Sequence, residues 1–285
     1  MTKLNLQISI VLFCMHLFGF SQTGTEIISQ SIIKVKALKT LHYELISRER
    51  IEDEYKISIA VVKCQFSPYQ TYLQSVLEGG ERGPEVLYKP KVNQHATISP
   101  NKFPFFNISV EPTSFILRNG HHHTVEQNIF GFISGVVENE MVKIGNDNLS
   151  KYIVKRDDVL FRHWNCHYID ITWLDFKWIQ YTVKKGETIS SIAKKMVVSD
   201  YHILQKNEDV DDFDDVSEGD KILVPNHYAK RVEFFIDKAS MLPMFTKISD
   251  EKGVFAQYQL NWLIVNPSFS EIDFSTENPK YNFKF

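Results

Sequence analysis

The sequence predicts an α+β protein, in which a curved antiparallel sheet is packed on helices and interrupted by a small βααβ unit. Two observations predict the sheet. Strand-like segments follow one another between residues 41 and 99, and residues 254–265 alternate in polarity like a long strand with one dry face. A third observation predicts the inserted unit, because the strand pattern gives way to a β-α-α-β succession between residues 180 and 229.

The N-terminus has the pattern of a cleaved secretory signal covering residues 1–21. Lys3 supplies a positive charge, an apolar run covers residues 8–20, and the small residue Ser21 follows. The run is short for a membrane span, and a retained anchor is the alternative. Cys14 lies inside the run, whereas a lipid-modified cysteine would end it. We therefore expect export, with the periplasm of a double-membraned bacterium as the location.

Two helices are predicted in the larger part of the chain. The first covers residues 25–38, with apolar side chains at helical spacing and Thr25 as its cap. The second begins at Thr124, where residues 124–127 (TVEQ) read as a capping box, and continues to Met141 along one apolar face.

The predicted strands surround these helices. The early ones cover residues 41–50, 55–64, 69–76, 86–89 and 93–99. In the late strand, the predicted dry face consists of Val254, Ala256, Tyr258, Leu260, Trp262 and Ile264. A turn at residues 250–253 pairs this strand with residues 241–248, and residues 232–236 complete a meander.

Composition and charge exclude some classes of function. The 285 residues carry 32 Lys plus Arg and 35 Asp plus Glu, a net charge of −3 that gives no electrostatic grip on nucleic acid. Aromatic residues make up 13% of the chain, which favours strands and a ring-lined core or groove. After signal cleavage Cys64 and Cys166 remain, and they either form a disulfide or are two separately buried thiols.

The inserted unit resembles the LysM (lysin motif) module. The resemblance is carried by residues 181–193 (YTVKKGETISSIA), 203–207 (ILQKN) and 218–225 (EGDKILVP). It implies binding of N-acetylglucosamine-containing glycan, chiefly peptidoglycan or chitin, in a shallow groove between two loops. The implied glycan-binding residues are Gly186, Glu187, Thr188 and Ile189 in one loop, and Asp211, Asp212, Phe213, Asp214, Asp215 and Val216 in the other. The second loop is longer and more acidic than is usual in that family.

The remaining chain resembles an uncharacterised family of exported proteins that is similar in architecture to the lipoprotein-carrier (LolA/LolB-like) half-barrel. The segments that carry this resemblance are residues 83–88 (GPEVLY), 119–124 (NGHHHT), 266–269 (NPSF), 273–274 (DF) and 278–283 (NPKYNF). It implies a hydrophobic groove for a lipid or a lipidated partner and carries no catalytic residues.

Few residues indicate chemistry. His121 and His123 share a face if their segment is extended, which makes them weak metal-ligand candidates without a third ligand. The neighbours Cys166 and His167 point to opposite faces of a strand, so they do not form a catalytic dyad. Motifs of zinc proteases, serine hydrolases and phosphate loops are missing from the sequence, and no cofactor is predicted.

The sequence therefore predicts an exported, non-catalytic binding protein with four segments. They are a signal peptide (1–21), a host half-barrel (22–180 and 228–285) and a LysM-like module (181–227). The module binds cell-wall glycan, while the host holds a lipid or lipoprotein. Two alternatives stay open: a cell-envelope hydrolase targeted by its LysM module, and a purely structural protein-interaction module.

Overall fold

The computed structural model describes residues 22–118 and 120–284. The predicted signal peptide lies outside the described residues. The helices are α1 (Gly24–Lys36), α2 (Phe115–Arg118), α3 (Ile129–Ile144), α4 (Leu149–Tyr152), α5 (Ile189–Met196) and α6 (Asp200–Lys206). Within the described ranges, no helix is long and apolar enough to cross a membrane.

Fourteen strands are assigned over the same residues, and most of them join one large sheet. They are β1 (Thr40–Ile51), β2 (Glu54–Phe66), β3 (Tyr69–Val76), β4 (Arg82–Lys89), β5 (Asn93–Ser99), β6 (Ile108–Val110), β7 (Ile153–Lys155), β8 (Val159–Phe161), β9 (Trp164–Thr172), β10 (Trp178–Thr182), β11 (Lys221–Pro225), β12 (Arg231–Asp237), β13 (Pro243–Asp250) and β14 (Gly253–Val265).

The large sheet has twelve strands in the order β6-β5-β4-β3-β2-β1-β14-β13-β12-β9-β7, with β8 paired to β9. Its pairings are antiparallel, and it is an open, curved sheet rather than a closed barrel. The predicted fold class is therefore confirmed. The predicted meander is present, because β12 pairs with β13 and β13 with β14.

Helices α1 and α3 pack together on one face of the sheet and cover its main apolar core. Both helices begin elsewhere than predicted. The cap of α1 is Thr23, which forms a capping box with Glu26, rather than Thr25. Helix α3 begins after Asn128, because the Gln127 side chain and backbone both turn back to Thr124 and close a separate turn.

In strand β14, Phe255 is buried although it lies outside the predicted dry face, because the pairing with β13 shifts between Val254 and Ala256. The predicted alternation holds from Ala256 only as far as Leu260. The pairing with β1 shifts there, since Glu44 lies opposite Trp262 while Leu45 lies opposite Leu260. Such a bulge leaves one residue unpaired and exchanges the two faces of the strand. Leu263 therefore packs on the core and Ile264 is half exposed, so the prediction of the dry face is wrong beyond Leu260.

The C-terminal segment covers the opposite face of the sheet. Phe274 and Phe283 are buried there against β3 and β4, and Tyr281 stacks on Tyr72 with 3.8 Å between ring centroids. Lys63 Nζ and Asp273 Oδ1 lie 2.6 Å apart and close the contact. The segment shields β-strand side chains that would otherwise be an exposed apolar patch.

The LysM-like segment leaves the sheet between two paired strands. Thr172 at the end of β9 lies opposite Arg231 at the start of β12, so residues 173–230 leave and rejoin the sheet at adjacent positions. Strands β10 and β11 pair only with each other, from Trp178–Pro225 to Thr182–Lys221. The small sheet therefore begins before residue 181. From here on, "module" means residues 178–225 and "host" means the large sheet with its helices.

Candidate functional site

The module has a hydrophobic core of its own. Thr188 caps α5 through the Ser191 N–H, and Ser199 caps α6 through the His202 N–H, so both short helices begin at a side-chain hydrogen bond. Their apolar faces close on the two-stranded sheet through buried side chains, which are Val183, Ile189, Ile192, Ala193, Val198, Ile203, Ile222 and Val224.

The two loops predicted to form the groove lie side by side. The N–H of Ile189 donates to the carbonyl of Phe213 over 2.8 Å and ties the loop before α5 to the loop before β11. Gly186 is exposed, and a Cβ built on it would meet nothing within 4 Å. We refer to residues 184–189 and 211–216 together as the loop groove.

The other predicted residues divide into exposed, half-buried and buried positions. The exposed residues of the second loop are Asp211, Asp212, Asp214 and Asp215. The half-buried residues are Glu187, Thr188, Phe213 and Val216. Ile189 is fully buried and belongs to the core of the module, so it can contribute to a groove only through its backbone.

The two loops of the loop groove carry opposite charge. Lys184 and Lys185 are exposed in the first loop, opposite the four exposed aspartates of the second loop. Glu187 does not add to the acidic side, because its carboxylate accepts hydrogen bonds from Tyr181, Lys184 and Lys195. The Tyr181 hydroxyl, the Lys184 N–H and the Lys195 ammonium lower the pKa of Glu187 to about 2.

Backbone donors remain available in the loop groove. The N–H groups of Gly186, Asp212 and Asp214 have no hydrogen-bond partner within the part of the chain that the structure describes. Unpaired N–H groups at an exposed loop can bind a ligand carbonyl without first breaking an internal bond. The site is therefore suited chemically to a ligand that carries amide or carbonyl oxygens.

The host reaches the edge of the loop groove through Arg118 in α2. Its guanidinium donates two hydrogen bonds of 2.9 Å to the carboxylate of Asp200 in α6. The same guanidinium lies 3.6 Å above the centre of the Phe213 ring. One side of Phe213 is thus covered by the host, so the ring supports the loop rather than offering that face to a ligand.

A second set of contacts holds α6 against the sheet. The buried carboxylate of Asp250 pairs with Arg50, and His202 Nε2 lies 3.2 Å from Asp250 Oδ2. The Phe255 ring stacks between the rings of His122 and His202, at 4.1 and 4.5 Å. We refer to these five residues as the junction network. Sequence reasoning missed Arg50, His202, Asp250 and Phe255, because no local spacing relates them.

The structure does not bring His121 and His123 to a common ligand. His121 Nδ1 lies 3.2 Å from Glu49, whereas His123 Nδ1 lies 3.3 Å from the Gln127 side chain. Within residues 22–118 and 120–284, the three residues whose ligand atoms do lie close together are His202, Asp250 and Glu251, all within 4.8 Å of one another. Arg50 already neutralises the Asp250 carboxylate, which makes that cluster unfavourable for a cation.

The stability of the protein is expected to fall between pH 6.5 and pH 4 because of His122. Burial lowers the pKa of His122 to about 4, although Glu49 opposes this shift. In this range the unfolded chain binds a proton that the folded chain does not, so acid favours unfolding by up to about 1.4 kcal/mol per pH unit. Urea unfolding at pH 7, 6, 5 and 4 measures the slope of the unfolding free energy against pH.

The control for this prediction is a pair of histidine variants. His122→Phe keeps a ring between Tyr201 and Phe255 but cannot titrate, so its stability should depend less on pH over this range. His95→Phe, at an exposed position, should leave the slope unchanged. Equal slopes in the wild type and in His122→Phe would contradict the prediction.

Cys64 and Cys166 are buried free thiols, the alternative to a disulfide that the sequence left open. They lie on β2 and β9, five strand spacings apart in the open sheet. Burial raises the pKa of each to about 12, which keeps the nucleophilic thiolate scarce. Cys166 faces the core while its neighbour His167 lies 3.1 Å from Asp158, as expected for adjacent residues of a strand.

The space between α3 and the host sheet is small. The apolar void has a volume of about 20 Å³ and is lined by residues including Leu45, Ile133, Met244 and Leu260. A void of this size holds about one water molecule. An acyl chain would enter this space only if α3 moved away from the sheet.

Three solved structures resemble the chain at low identity. An uncharacterized conserved protein from Thermus thermophilus is 8% identical, with a TM-score of 0.41 over 91% of this chain and 96% of that one. LprF from Mycobacterium bovis is 11% identical, with a TM-score of 0.42 over 86% and 94%. The lipoprotein LppX from Mycobacterium tuberculosis is 11% identical, with a TM-score of 0.39 over 86% and 95%.

The comparison with protein families concerns the module. No curated protein matches the sequence. The family model described as "LysM domain" matches residues 181–225, a range that ends with the last residue of β11. The resemblance predicted from the sequence is confirmed for this segment: residues 181–225 are similar to LysM domains.

Proposed function

We propose that this protein is an exported, non-catalytic binding protein of the bacterial envelope whose module binds N-acetylglucosamine-containing glycan, with peptidoglycan as the natural ligand. The observation that carries the proposal is the pair of adjacent loops in a segment that matches the LysM domain. The free N–H groups of Gly186, Asp212 and Asp214 suit the carbonyl oxygen of an acetamido group.

The charges of the loop groove favour glycan with few acidic groups. The aspartates at positions 211, 212, 214 and 215 repel the carboxylates of peptidoglycan stem peptides, because like charges at an exposed surface disfavour approach at low salt. We therefore expect glycan stripped of its peptides to bind more tightly than intact peptidoglycan. A lipid in the space between α3 and the host sheet would require α3 to move, so we assign glycan as the ligand.

The Gly186→Asn variant tests the loop groove. Gly186 has φ +75°, a conformation that Asn adopts more readily than most residues, and a side chain there extends into open space. We expect the fold to be kept and the affinity for N-acetylglucosamine oligomers and insoluble glycan to fall by at least about tenfold, which corresponds to 1.4 kcal/mol. Calorimetric titration and co-sedimentation measure the loss.

Gly79→Asn is the matched control. Gly79 lies in the host with φ +77°, and its Cβ would also meet nothing within 4 Å. The affinity of the Gly79→Asn variant for N-acetylglucosamine oligomers and insoluble glycan should equal that of the wild type. A wild-type protein that does not sediment with glycan at low salt contradicts the proposal and favours a structural role.

A hydrolase is the other alternative, and it has its own test. The described residues include a buried Cys166 whose raised pKa makes it a poor nucleophile. Incubation of the protein with peptidoglycan should release no soluble muropeptides above a heat-inactivated control. Release above that control would overturn the non-catalytic assignment. Release that continues in a Cys166→Ala variant would indicate an enzyme with another nucleophile.

A further inference from the structure

A cavity of about 440 Å³ lies where the module meets the host. The module contributes Ser190, Ala193 and Lys194 from α5 to its wall, and the host contributes residues 122–124 and Phe132. Tyr228, just after the module, completes the lining. This volume is within the range of small-molecule sites and far above the void inside the host. We call it the junction cavity.

Two polar groups in the lining lack partners. Tyr228 is 2% exposed, and its hydroxyl makes no hydrogen bond to any residue that the structure describes. The Nε2 atom of His123 is buried and is likewise unpartnered among those residues. A buried polar group without a partner costs free energy that a ligand or ordered water can recover. The Nε2 atom of His123 has no accessible surface, so the Tyr228 hydroxyl is the group that indicates a polar molecule in the cavity.

The charges around the cavity are balanced. Arg118 neutralises Asp200 by two hydrogen bonds, and Ser190 adds a third at 3.0 Å. Burial lowers the pKa of His123, so its ring is neutral at pH 7. The remaining charged side chains of the lining, Lys194 and Glu126, are exposed and opposite in sign. No uncompensated buried charge among the described lining residues calls for an ionic ligand.

Aromatic rings form part of the wall. Phe132 and Tyr228 meet edge to face with 5.9 Å between their centroids, and His123 approaches Phe132 at 4.9 Å. Ring surfaces beside neutral donors and acceptors suit a molecule that is apolar on its faces and hydroxylated on its edges. A sugar ring has this distribution.

We infer that the junction cavity binds a neutral saccharide of one or two rings. The hydroxyl of Tyr228 contacts a sugar hydroxyl, while Phe132 packs on a ring face. This site is distinct from the loop groove, because it lies on the side of α5 that faces the host. It does not depend on the glycan binding proposed for the loops.

The experiment is a binding measurement on the full chain by saturation-transfer NMR and calorimetry. The probes are N-acetylglucosamine, its β-1,4-linked disaccharide and cellobiose, each up to 10 mM as an order-of-magnitude limit for about 3 kcal/mol of binding. We expect at least one probe to bind with an affinity that falls about tenfold in Tyr228→Phe, the loss of one buried hydrogen bond. Gly186→Asn should leave the affinity for cellobiose unchanged, because cellobiose lacks the acetamido group that is assigned to the loop groove.

Tyr152→Phe is the matched control, since Tyr152 lies in α4 and does not line the cavity. If Tyr228→Phe does not fold, as judged by circular dichroism, Thr124→Val takes its place in the same wall. The proposal is overturned if none of the three probes binds the wild type, or if binding is unchanged in the folded cavity variant. Binding of cellobiose that Gly186→Asn abolishes also overturns it, because the sugar then occupies the loop groove.

Discussion

Replacing Asp250 with alanine is expected to lower the free energy of unfolding by about 3–5 kcal/mol, because the change leaves a buried guanidinium without its partner. The Arg50 and Asp250 side chains are 7% and 3% exposed. The pKa of Asp250 lies well below its usual value, since His202 and Arg50 outweigh the opposing effect of burial. Urea-induced unfolding followed by tryptophan fluorescence measures the loss.

Two controls separate the buried pair from charge in general. Asp53→Ala removes a carboxylate from an exposed pair, in which Lys252 Nζ lies 3.9 Å away and the side chains are 68% and 94% exposed. Asp53→Ala should change the free energy of unfolding by no more than about 0.5 kcal/mol. The double variant Arg50→Met, Asp250→Leu should recover most of the stability, because apolar residues of similar size need no partner. A double variant as unstable as Asp250→Ala would contradict this account.

Replacing Phe255 with alanine is also expected to cost about 3–5 kcal/mol, since it removes a buried ring from the centre of the junction network. Phe255 is 1% exposed and stacks on His122 of the host and His202 of the module. The truncation of Phe255 would therefore leave a void between the host and the module. The same unfolding measurement applies, with limited proteolysis of residues 173–230 as a second readout.

Phe245→Ala is the matched control for this second prediction. Phe245 stacks on Phe235 with 4.5 Å between ring centroids, but it is only half-buried. Phe245→Ala removes less buried apolar area than Phe255→Ala does. The loss of unfolding free energy should therefore be smaller than for Phe255→Ala. Faster cleavage in Phe255→Ala than in Phe245→Ala would indicate a loosened module. Equal unfolding losses would contradict the view that the junction is a packed core.

The strands of the host show how far local patterns predict this fold. Residues of β1 to β5 were predicted within a few positions, and β14 was predicted along its whole length. The prediction of its dry face fails after Leu260, because the bulge arises from pairing with β1 and not from β14 itself. Similarly, the Gln127 side chain accepts from the Thr124 N–H, which is one half of the predicted capping box. The Gln127 N–H donates to the Thr124 carbonyl instead, so the chain turns before helix α3 begins.

The candidate sites divide in the same way. The loop groove could be located from the sequence, since each of its loops is contiguous and the motif of residues 181–225 is local. The contact between Arg118 and Asp200 joins residues 82 positions apart, and that between Arg50 and Asp250 joins residues 200 apart. No spacing in the sequence relates such pairs. The sequence makes His121 and His123 weak candidates for metal ligands. In the structure, His122 and His123 line the junction cavity.

By itself, the sequence predicted helices α1, α3, α5 and α6, most of the strands and the resemblance of the module to LysM domains, because caps, alternation and turn residues act over a few positions. Only the tertiary structure decided which face of the module the host covers, how Arg118 reaches Phe213, and where a cavity remains. These features depend on the register of β9 with β12 and on the docking of α6 against Phe255. Such contacts are set by packing between distant segments, which leaves no periodic trace along the chain.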